Sequence, residues 1–306
     1  MDLNAYAPEI REKVERISDI LMRISEVSVL KNSLSLYGGT ALNFLHFKEP
    51  PRVSEDLDFN YRHLTDEDWG AVRTKLDSLI KTILKDLGYT DKDIRIQALY
   101  NIGRFHIRYS TKAGTKDSIK IEIGYMRRIP NLKKDAILQY VHPVTAKTTE
   151  LKTPIAEELY ANKFCTMLSR TVDVPYARDV FDVGTISKLG FDKDLFIDIV
   201  LIEALLLDID LANIEFKIPH KSQAKDLENL VVGNVDLKGI GDEVFVFTKN
   251  TIKETISRGG VEFSKEFKNS GKIKLDLMNN PDAFHPNIAE HPQLLWLRKK
   301  NSAKNE

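Results

Sequence analysis

Two aspartates one residue apart, preceded by a pair of glycines, are the residues of this chain best suited to chemistry. The glycines, Gly38 and Gly39, lead into Thr40, and the carboxylates are Asp56 and Asp58. Because side chains alternate across a β-strand, a strand through the second segment places both carboxylates on one face. Two adjacent carboxylates repel each other unless they are solvated or share a cation. The pair therefore predicts a divalent metal site, with a solvated strand end as the alternative.

The glycine pair predicts a phosphate-binding turn ahead of these carboxylates. Adjacent glycines allow positive φ and let a polyanion approach main-chain N–H groups closely. Thr40 begins an apolar-periodic segment, so we expect a helix to start there and to offer its N-terminus to phosphate. Arg52 and Ser54 precede Asp56 by even steps, so a strand from Val53 to Tyr61 would give them the same face. Ser54 can then present a hydroxyl to phosphate or to the aspartate.

A third carboxylate belongs to a later predicted strand. Between Ile119 and Gly124 three isoleucines alternate with polar or small residues, which gives the strand one buried and one polar face. Glu122 lies on the polar face together with Lys120. A simple ion pair of Glu122 with Lys120 or another basic neighbour is the alternative to a functional role.

Two consecutive helices are predicted in the middle of the chain. Thr153 is a suitable N-cap and Pro154 fits the first helical position. Lys163 lies on the first helix, and a lysine facing a triphosphate neutralises it as a point charge. Asp179 and Asp182 share one side of the second helix, where they can hold that lysine. Ordinary ion pairs between packed helices are the alternative.

The motif Gly38-Gly39-Thr40-Ala41-Leu42, followed by Arg52-x-Ser54-x-Asp56-Leu57-Asp58-Phe59, resembles the AbiEii/AbiGii toxin family of nucleotidyltransferases. This family is a branch of the polymerase-β-like superfamily that includes the MenT tRNA-modifying toxins. Glu122 matches the position of the superfamily's third carboxylate, although the family often has Asp there. Glu157 to Lys163 and Arg178 to Asp182 resemble one further family signature, Glu-x-x-x-x-x-Lys…Arg-Asp-x-x-Asp. Sixteen residues separate Gly39 from Asp56, a spacing that this branch tolerates.

The resemblance implies an α/β (α+β) fold with two domains. A small mixed-sheet, polymerase-β-like nucleotidyltransferase domain is expected at residues 1–150, and a mainly helical domain at 151–306 would complete the nucleotide cleft. Mg²⁺ or Mn²⁺ would be held by Asp56, Asp58 and Glu122, which with Lys163 form the expected catalytic set. The residues expected to bind the nucleotide are Gly38, Gly39, Thr40, Arg52, Ser54, Lys163, Asp179 and Asp182.

The implied activity is transfer of a nucleoside monophosphate from an NTP to RNA, such as a tRNA 3′ end, by the toxin of a type IV-like toxin–antitoxin system. A cognate antitoxin protein is then an expected partner. Transfer to a small molecule or to a protein would use the same residues. A non-catalytic nucleotide or RNA sensor is the hypothesis from a different class.

Charge is balanced overall, with 45 basic and 45 acidic residues, but it is unevenly distributed. Nine basic residues and two acidic ones lie between Arg104 and Lys134. This excess favours a polyanionic partner such as RNA over a plain solvated surface. The basic residues are Arg104, Arg108, Lys112, Lys116, Lys120, Arg127, Arg128, Lys133 and Lys134.

The single cysteine, Cys165, excludes an intrachain disulfide framework, and its apolar neighbours predict a buried thiol. The histidines show no zinc-binding pattern. Acidic residues interrupt the most apolar run, Leu195 to Ile214, so it predicts a buried helix and no membrane span. The polar N-terminus has no signal-peptide pattern, and a cytoplasmic protein is expected.

Hydrophobic periodicity predicts the following elements. The strands are Leu34–Tyr37, Val53–Tyr61, Ile94–Tyr100, Arg104–Ser110 and Ser118–Tyr125. The helices outside the central pair are Pro8–Val27, Thr40–Phe47, Asp66–Leu87, Leu195–Leu207, Ala224–Val232, Glu243–Arg258 and Ser264–Ser270.

Overall fold

The structure, a computed structural model, describes residues 2–63, 68–170, 176–214 and 224–305. The chain forms two compact units. The first unit comprises Met1–Arg128, Asp135–Pro154 and Asn229–Val232, and the second comprises Ile129–Lys134, Ile155–Glu228 and Gly233–Glu306. The functional division into residues 1–150 and 151–306 stays a prediction.

A mixed five-stranded sheet forms the centre of the first unit and confirms the expected fold class. The strand order is β1-β2-β5-β4-β3, in which β2 and β5 are parallel and the other neighbours antiparallel. The strands are β1 (Leu34–Tyr37), β2 (Asp56–Tyr61), β3 (Ile94–Ala98), β4 (Ile102–Ser110) and β5 (Lys116–Gly124).

Strand β2 begins at Asp56, so the prediction that it begins at Val53 is wrong. The N–H of Val53 donates to the carbonyl of Leu230 at 2.8 Å and is therefore not part of the sheet ladder. Arg52 and Ser54 consequently lie ahead of the strand, and the parity argument that gave them the face of Asp56 does not apply.

Alternation of apolar and polar residues builds the sheet, as the sequence predicts. Phe105, Ile107, Ile119, Ile121 and Ile123 are all fully buried. Burial of such side chains contributes roughly 1.5–3 kcal/mol each relative to exposure. The polar residues between them lie on the opposite face of the sheet, which therefore carries the candidate functional side chains.

The helices in the described residues before β3 are α1 (Pro8–Glu26), α2 (Ser28–Ser33), α3 (Gly38–Ala41) and α4 (Trp69–Asp86). Helix α1 confirms the amphipathic prediction, with Pro8 in its first turn and a buried apolar stripe. Helix α3 continues as a π-helical turn, Leu42–His46. It begins at Gly38, two residues earlier than predicted, and Gly38 has a φ of 68°. For α4, the predicted start at Asp66 lies outside the described residues.

A two-stranded hairpin, β6 (Ala136–Val141) and β7 (Thr148–Thr153), also belongs to the first unit and was not predicted. Two of the three exposed side chains on β6 are apolar, Ile137 and Val141, which are 63% and 50% exposed. The strand therefore lacks the alternation that marks a half-buried strand. Because Thr153 ends β7, its predicted role as an N-cap is wrong.

The second unit is mainly helical, as predicted, apart from short irregular segments. Its helices are α5 (Ala156–Ser169), α6 (Ala177–Ile186), α7 (Lys193–Leu206), α8 (Lys225–Glu228), α9 (Leu237–Ser257), α10 (Gly260–Ser270) and α11 (Pro292–Asn305). Ile155 is the N-cap of α5. Rings of Phe164, Phe196 and Phe247 pack within 5.8–6.1 Å of one another. Cys165 is buried beside them, as predicted.

Helix α7 is buried almost throughout, which confirms the interpretation of this apolar run. No helix in the described parts of the chain combines the length and apolar character that a membrane crossing requires.

Candidate functional site

The sheet register brings the three predicted carboxylates together. Asp56 is the partner of Lys120, and Asp58 is the partner of Glu122, in the parallel pair β2–β5. All four side chains lie on the polar face of the sheet, which we call the open face. Asp56 and Glu122 are 31% and 19% exposed, so both carboxylates remain accessible from solvent.

Asp58 lies directly against the diglycine turn. In the antiparallel pair β1–β2, Tyr37 is its register partner, so Gly38 follows immediately beyond. A Cβ atom added to Gly38 would overlap the Asp58 carboxylate, and the φ of 68° disfavours any other residue there. The predicted proximity of the glycine turn to a strand carboxylate is therefore present in the structure.

The side chains of Arg52 and Ser54 lie close to the second glycine of the turn. A Cβ on Gly39 would lie 2.9 Å from an Arg52 guanidinium nitrogen and 3.0 Å from the Ser54 hydroxyl. Both side chains are buried, with Arg52 also donating from Nη1 to the Val53 carbonyl at 2.8 Å. Arg52 and Ser54 thus reach the glycine turn from a loop, although not from the predicted strand.

The diglycine turn forms the first turn of α3. The N-cap residue of this helix, Tyr37, makes no side-chain hydrogen bond to the helix start. The Thr40 hydroxyl instead donates to the Asp56 carbonyl, and the Asn43 amide donates to the Gly39 carbonyl at 2.9 Å. Thr40 therefore ties the helix start to β2, while the first-turn N–H groups keep the character of an anion site.

Two cations lie among the carboxylates. The Lys120 ammonium is 3.5 Å from Asp56 Oδ2 and 3.6 Å from Glu122 Oε2. Arg104 Nε donates to Glu122 Oε1 at 2.5 Å. The carboxylates therefore converge on positive charge, and the ion pairs that formed the alternative interpretation of Glu122 are present.

These oxygen donors suit a hard cation. Mg²⁺ is commonly bound by one or two carboxylates together with substrate phosphates. Asp56 and Asp58 supply such a pair on one strand face, and the Lys120 ammonium shows that a positive charge is stabilised beside Asp56. Among the described residues, no three acidic, histidine or cysteine side chains already converge as a complete metal cage. The residues fit a metal that shares its coordination with phosphate oxygens.

Lys163 and its two predicted partners form one cluster in the second unit. Lys163 Nζ is 3.0 Å from Asp182 Oδ2 and 3.6 Å from Asp179 Oδ1. Arg170 Nη1 donates to Asp179 Oδ2 at 2.6 Å. Both carboxylates are buried, and the lysine side chain is 11% exposed. The spacing prediction for α5 and α6 thus describes real contacts, which hold the lysine in one position.

Sequence reasoning missed a network that supports the segment preceding Asp56. Lys13 Nζ on α1 is 3.2 Å from Glu55 Oε1 and 3.0 Å from Asp117 Oδ1. Burial lowers the pKa of Lys13, but the two carboxylates more than offset this, and the net shift is upward. No local pattern connects these three residues, which lie far apart in the chain.

A mixed sheet that places an Asp-x-Asp strand against a diglycine turn at a helix start defines the nucleotidyltransferase class. The chain belongs to the AbiEii nucleotidyltransferase toxin family. The family model, described as "Nucleotidyl transferase AbiEii toxin, Type IV TA system", matches residues 19–229, more than half of the chain. The protein is accordingly a nucleotidyltransferase.

A solved structure supports the fold. MenT4, a nucleotidyltransferase toxin from Mycobacterium tuberculosis H37Rv, is similar with a TM-score of 0.55 and 15% identity over 95% of each chain. An antigenic nucleotidyltransferase-like protein from Paracoccidioides brasiliensis matches at a TM-score of 0.36 and 14% identity, over 79% of this chain and 93% of its own. No curated protein matches the sequence.

Proposed function

We propose that this protein is the toxin of a type IV-like toxin–antitoxin system. It transfers a nucleoside monophosphate from an NTP to an RNA acceptor, such as a tRNA 3′ end. The observation that carries the proposal is the contact of Asp58 with the Gly38 turn while Asp56 shares its strand face. A triphosphate bound at that turn lies beside both carboxylates.

Asp56 and Asp58 are the residues that would hold Mg²⁺ or Mn²⁺, with Glu122 as a third candidate ligand. When bound, such an ion would neutralise charge on the triphosphate and stabilise the transition state of transfer. Asp56 and Asp58 fit because they leave the same strand face and Asp56 already lies beside a cation, Lys120 Nζ. Transfer is therefore expected to depend on a divalent metal.

The chain's own residues bind and orient the substrates. Backbone N–H groups of Gly38, Gly39 and Thr40 donate to phosphate oxygens at the helix start. Arg52 and Ser54 lie against this turn, where Arg52 adds positive charge and Ser54 adds a hydroxyl group.

In the reaction, the acceptor hydroxyl oxygen forms a bond to the α-phosphorus while the bond to the bridging oxygen of pyrophosphate breaks. Pyrophosphate leaves with the electron pair of that bond, and the hydroxyl proton passes to a carboxylate, for which Glu122 is the candidate. Lys163 offsets the charge of the leaving pyrophosphate, and Asp179 and Asp182 orient Lys163. The short ion pairs of this lysine support that role by fixing its ammonium group.

The biological setting rests on the family. The family is described as part of a type IV toxin–antitoxin system, and MenT4, which shares the fold, is a toxin. An NTP substrate, a cognate antitoxin protein, an RNA partner and a cytoplasmic location follow from that setting. The basic excess between Arg104 and Lys134 supports RNA over a small-molecule acceptor.

A labelling experiment tests the activity. The protein is incubated with each labelled NTP and Mg²⁺, and in turn with total tRNA, cell protein or candidate small molecules. We expect label on RNA, and we expect Asp56→Asn to reduce it at least about a hundredfold, because several kcal/mol of electrostatic stabilisation are lost. Asp242→Asn, an exposed position on α9, is the matched control and should keep full activity.

Other outcomes assign the alternatives. Asp56-dependent label on polypeptide or on a small molecule would replace RNA as the acceptor. Absence of Asp56-dependent label from every acceptor would overturn the proposed activity in favour of a nucleotide or RNA sensor.

A further inference from the structure

We propose that the open face of β3, β4 and β5 binds the sugar-phosphate backbone of the single-stranded RNA whose end is modified. This inference rests on the proposed function and adds a defined surface to it. The basic excess alone cannot identify that surface, because five of its nine residues lie outside β4 and β5, and four lie on their open face: Arg104, Arg108, Lys116 and Lys120.

Strand register places basic side chains in line with the carboxylates. From β2 outward, one row across the sheet runs Asp56, Lys120, His106, Arg95. The next row runs Asp58, Glu122, Arg104, Gln97. The open face therefore changes from acidic at β2 to basic at β4 and β3.

Distance makes this surface suitable for an acceptor strand. Neighbouring strands are ~4.8 Å apart, so the three steps from β2 to β3 cover ~14 Å. That is longer than the reach of a triphosphate held at the diglycine turn. An RNA whose terminal hydroxyl meets the carboxylates would lay its preceding phosphates across β4 and β3.

The outer cations are available for a ligand. The side chains of Arg95 and Arg108 are exposed and make no ion pair with any residue in the described ranges. Other members of the basic segment are occupied: Lys112 pairs with Glu15, and Lys116 donates to the Ser110 hydroxyl. Two unpaired arginines on one sheet face beside an active site provide charge complementarity to phosphate.

An aromatic side chain adds the second element of single-strand recognition. Tyr100, in the turn joining β3 to β4, is 89% exposed. Surfaces that bind single-stranded nucleic acid combine a basic track with aromatic rings on which bases stack. The place of Tyr100 in the turn between the two arginine-bearing strands fits a stacked base.

RNA affinity measured without catalysis tests the surface. Fluorescence anisotropy of a labelled single-stranded oligoribonucleotide is recorded in EDTA without NTP, across a salt series, for wild type and Arg95→Gln/Arg108→Gln. Each lost phosphate contact should reduce the steepness of the log affinity against log salt plot by about 0.7, hence by about 1.4 for the pair. At 0.1 M salt this corresponds to roughly fivefold weaker binding per arginine.

Two further variants sharpen the test. Lys249→Gln/Lys253→Gln removes two exposed cations from α9 and should leave both affinity and slope unchanged. Tyr100→Ala should weaken binding about tenfold without changing the salt slope, because stacking releases no counterions. All these side chains are exposed, so thermal unfolding should stay at the wild-type midpoint.

The outcomes separate this inference from the proposed function. The proposed RNA-binding surface would be overturned if Arg95→Gln/Arg108→Gln kept the wild-type affinity and salt slope. It would also be overturned if the α9 control lost as much affinity. Either result would count even where Asp56-dependent RNA labelling is observed. Arginine-dependent RNA binding without any labelling would instead support the surface and overturn the transferase proposal.

Discussion

At the scale of single residues, the site depends on the close approach of the Asp58 carboxylate to the diglycine turn as well as on the acidic residues themselves. Gly38 has a left-handed backbone conformation, and the Asp58 carboxylate occupies the space that a Cβ atom at position 38 would need. Asp58 can therefore lie beside the turn that is proposed to hold phosphate. A larger residue at 38 would separate the turn from the strand, although every acidic residue would remain.

Gly38→Ala and Gly114→Ala form a matched pair that tests this dependence. Both glycines have positive φ, of 68° and 83°, but a Cβ on Gly114 meets nothing within 4 Å. We expect Gly114→Ala to lose only the backbone term, about 1–2 kcal/mol of unfolding free energy. Gly38→Ala should lose about 1–2 kcal/mol more and most of its transfer activity, since Asp58 must move.

Denaturant unfolding and the labelling reaction measure the two effects. Equal losses in both variants would show that the approach of Asp58 to the turn contributes nothing beyond backbone strain.

At the scale of elements, helix packing positions the Lys163 cluster. Helix α6 carries Asp179 and Asp182 on one side and Gly184 on another. A Cβ on Gly184 would lie 2.6 Å from Ile240 Cγ2 and 3.3 Å from Val244 Cγ2, both on α9. The glycine thus allows α6 and α9 to pack closely, and the carboxylates that hold Lys163 depend on that packing.

Gly184→Ala should therefore destabilise the protein although alanine favours helix. Overpacking against the stiff Ile240 side chain costs about 1–3 kcal/mol, and the helix propensity gained is about 1 kcal/mol. Gly190→Ala, where a Cβ meets nothing within 4 Å, is the control and should lie within about 0.5 kcal/mol of wild type. If Gly184→Ala had the wild-type free energy of unfolding, α9 would have to shift away from the added methyl group without loss of stability, contrary to this prediction.

At the scale of the whole molecule, stability should depend on pH through a half-buried histidine. His46 ends the π-helical turn after α3, and its Nε2 lies 3.3 Å from the Thr153 hydroxyl on β7. Burial lowers the pKa of His46 to about 4, despite a hydrogen bond with the Pro154 backbone that acts in the opposite direction. Folding therefore keeps this imidazole neutral at pH values where the unfolded chain protonates it.

The sign follows from proton uptake. Below pH 6.5 the unfolded state binds a proton that folded His46 does not, so stability falls as pH decreases. Between pH 6.5 and 5 this residue should remove about 1.5 kcal/mol of unfolding free energy. His46→Gln should lack that component, so the difference between the wild-type and variant pH curves isolates it. Parallel curves over this range would show that the imidazole titrates normally in the folded protein.

Local patterns in the sequence were sufficient for what depends on neighbouring residues. The alternation around Asp56 and around Glu122 predicted two strands, each with one polar face, and spacing along α5 and α6 predicted the partners of Lys163. Periods of 2 and 3.6 residues are properties of the chain itself, which is why these features could be inferred from the sequence. The family resemblance added the class of enzyme.

Contacts between distant segments were decided only by the tertiary structure. Strand β2 begins late because Val53 bonds to Leu230, and the loop before it is held by Lys13, which also binds Asp117. Strand β6 exposes the apolar residues Ile137 and Val141, so its sequence lacks the alternation of polar and apolar residues that marks a strand. Register across four strands, which aligns Arg95 with Asp56, depends on pairing between segments far apart in the chain. No local periodicity encodes such pairing, because it is selected by the packing of the whole unit.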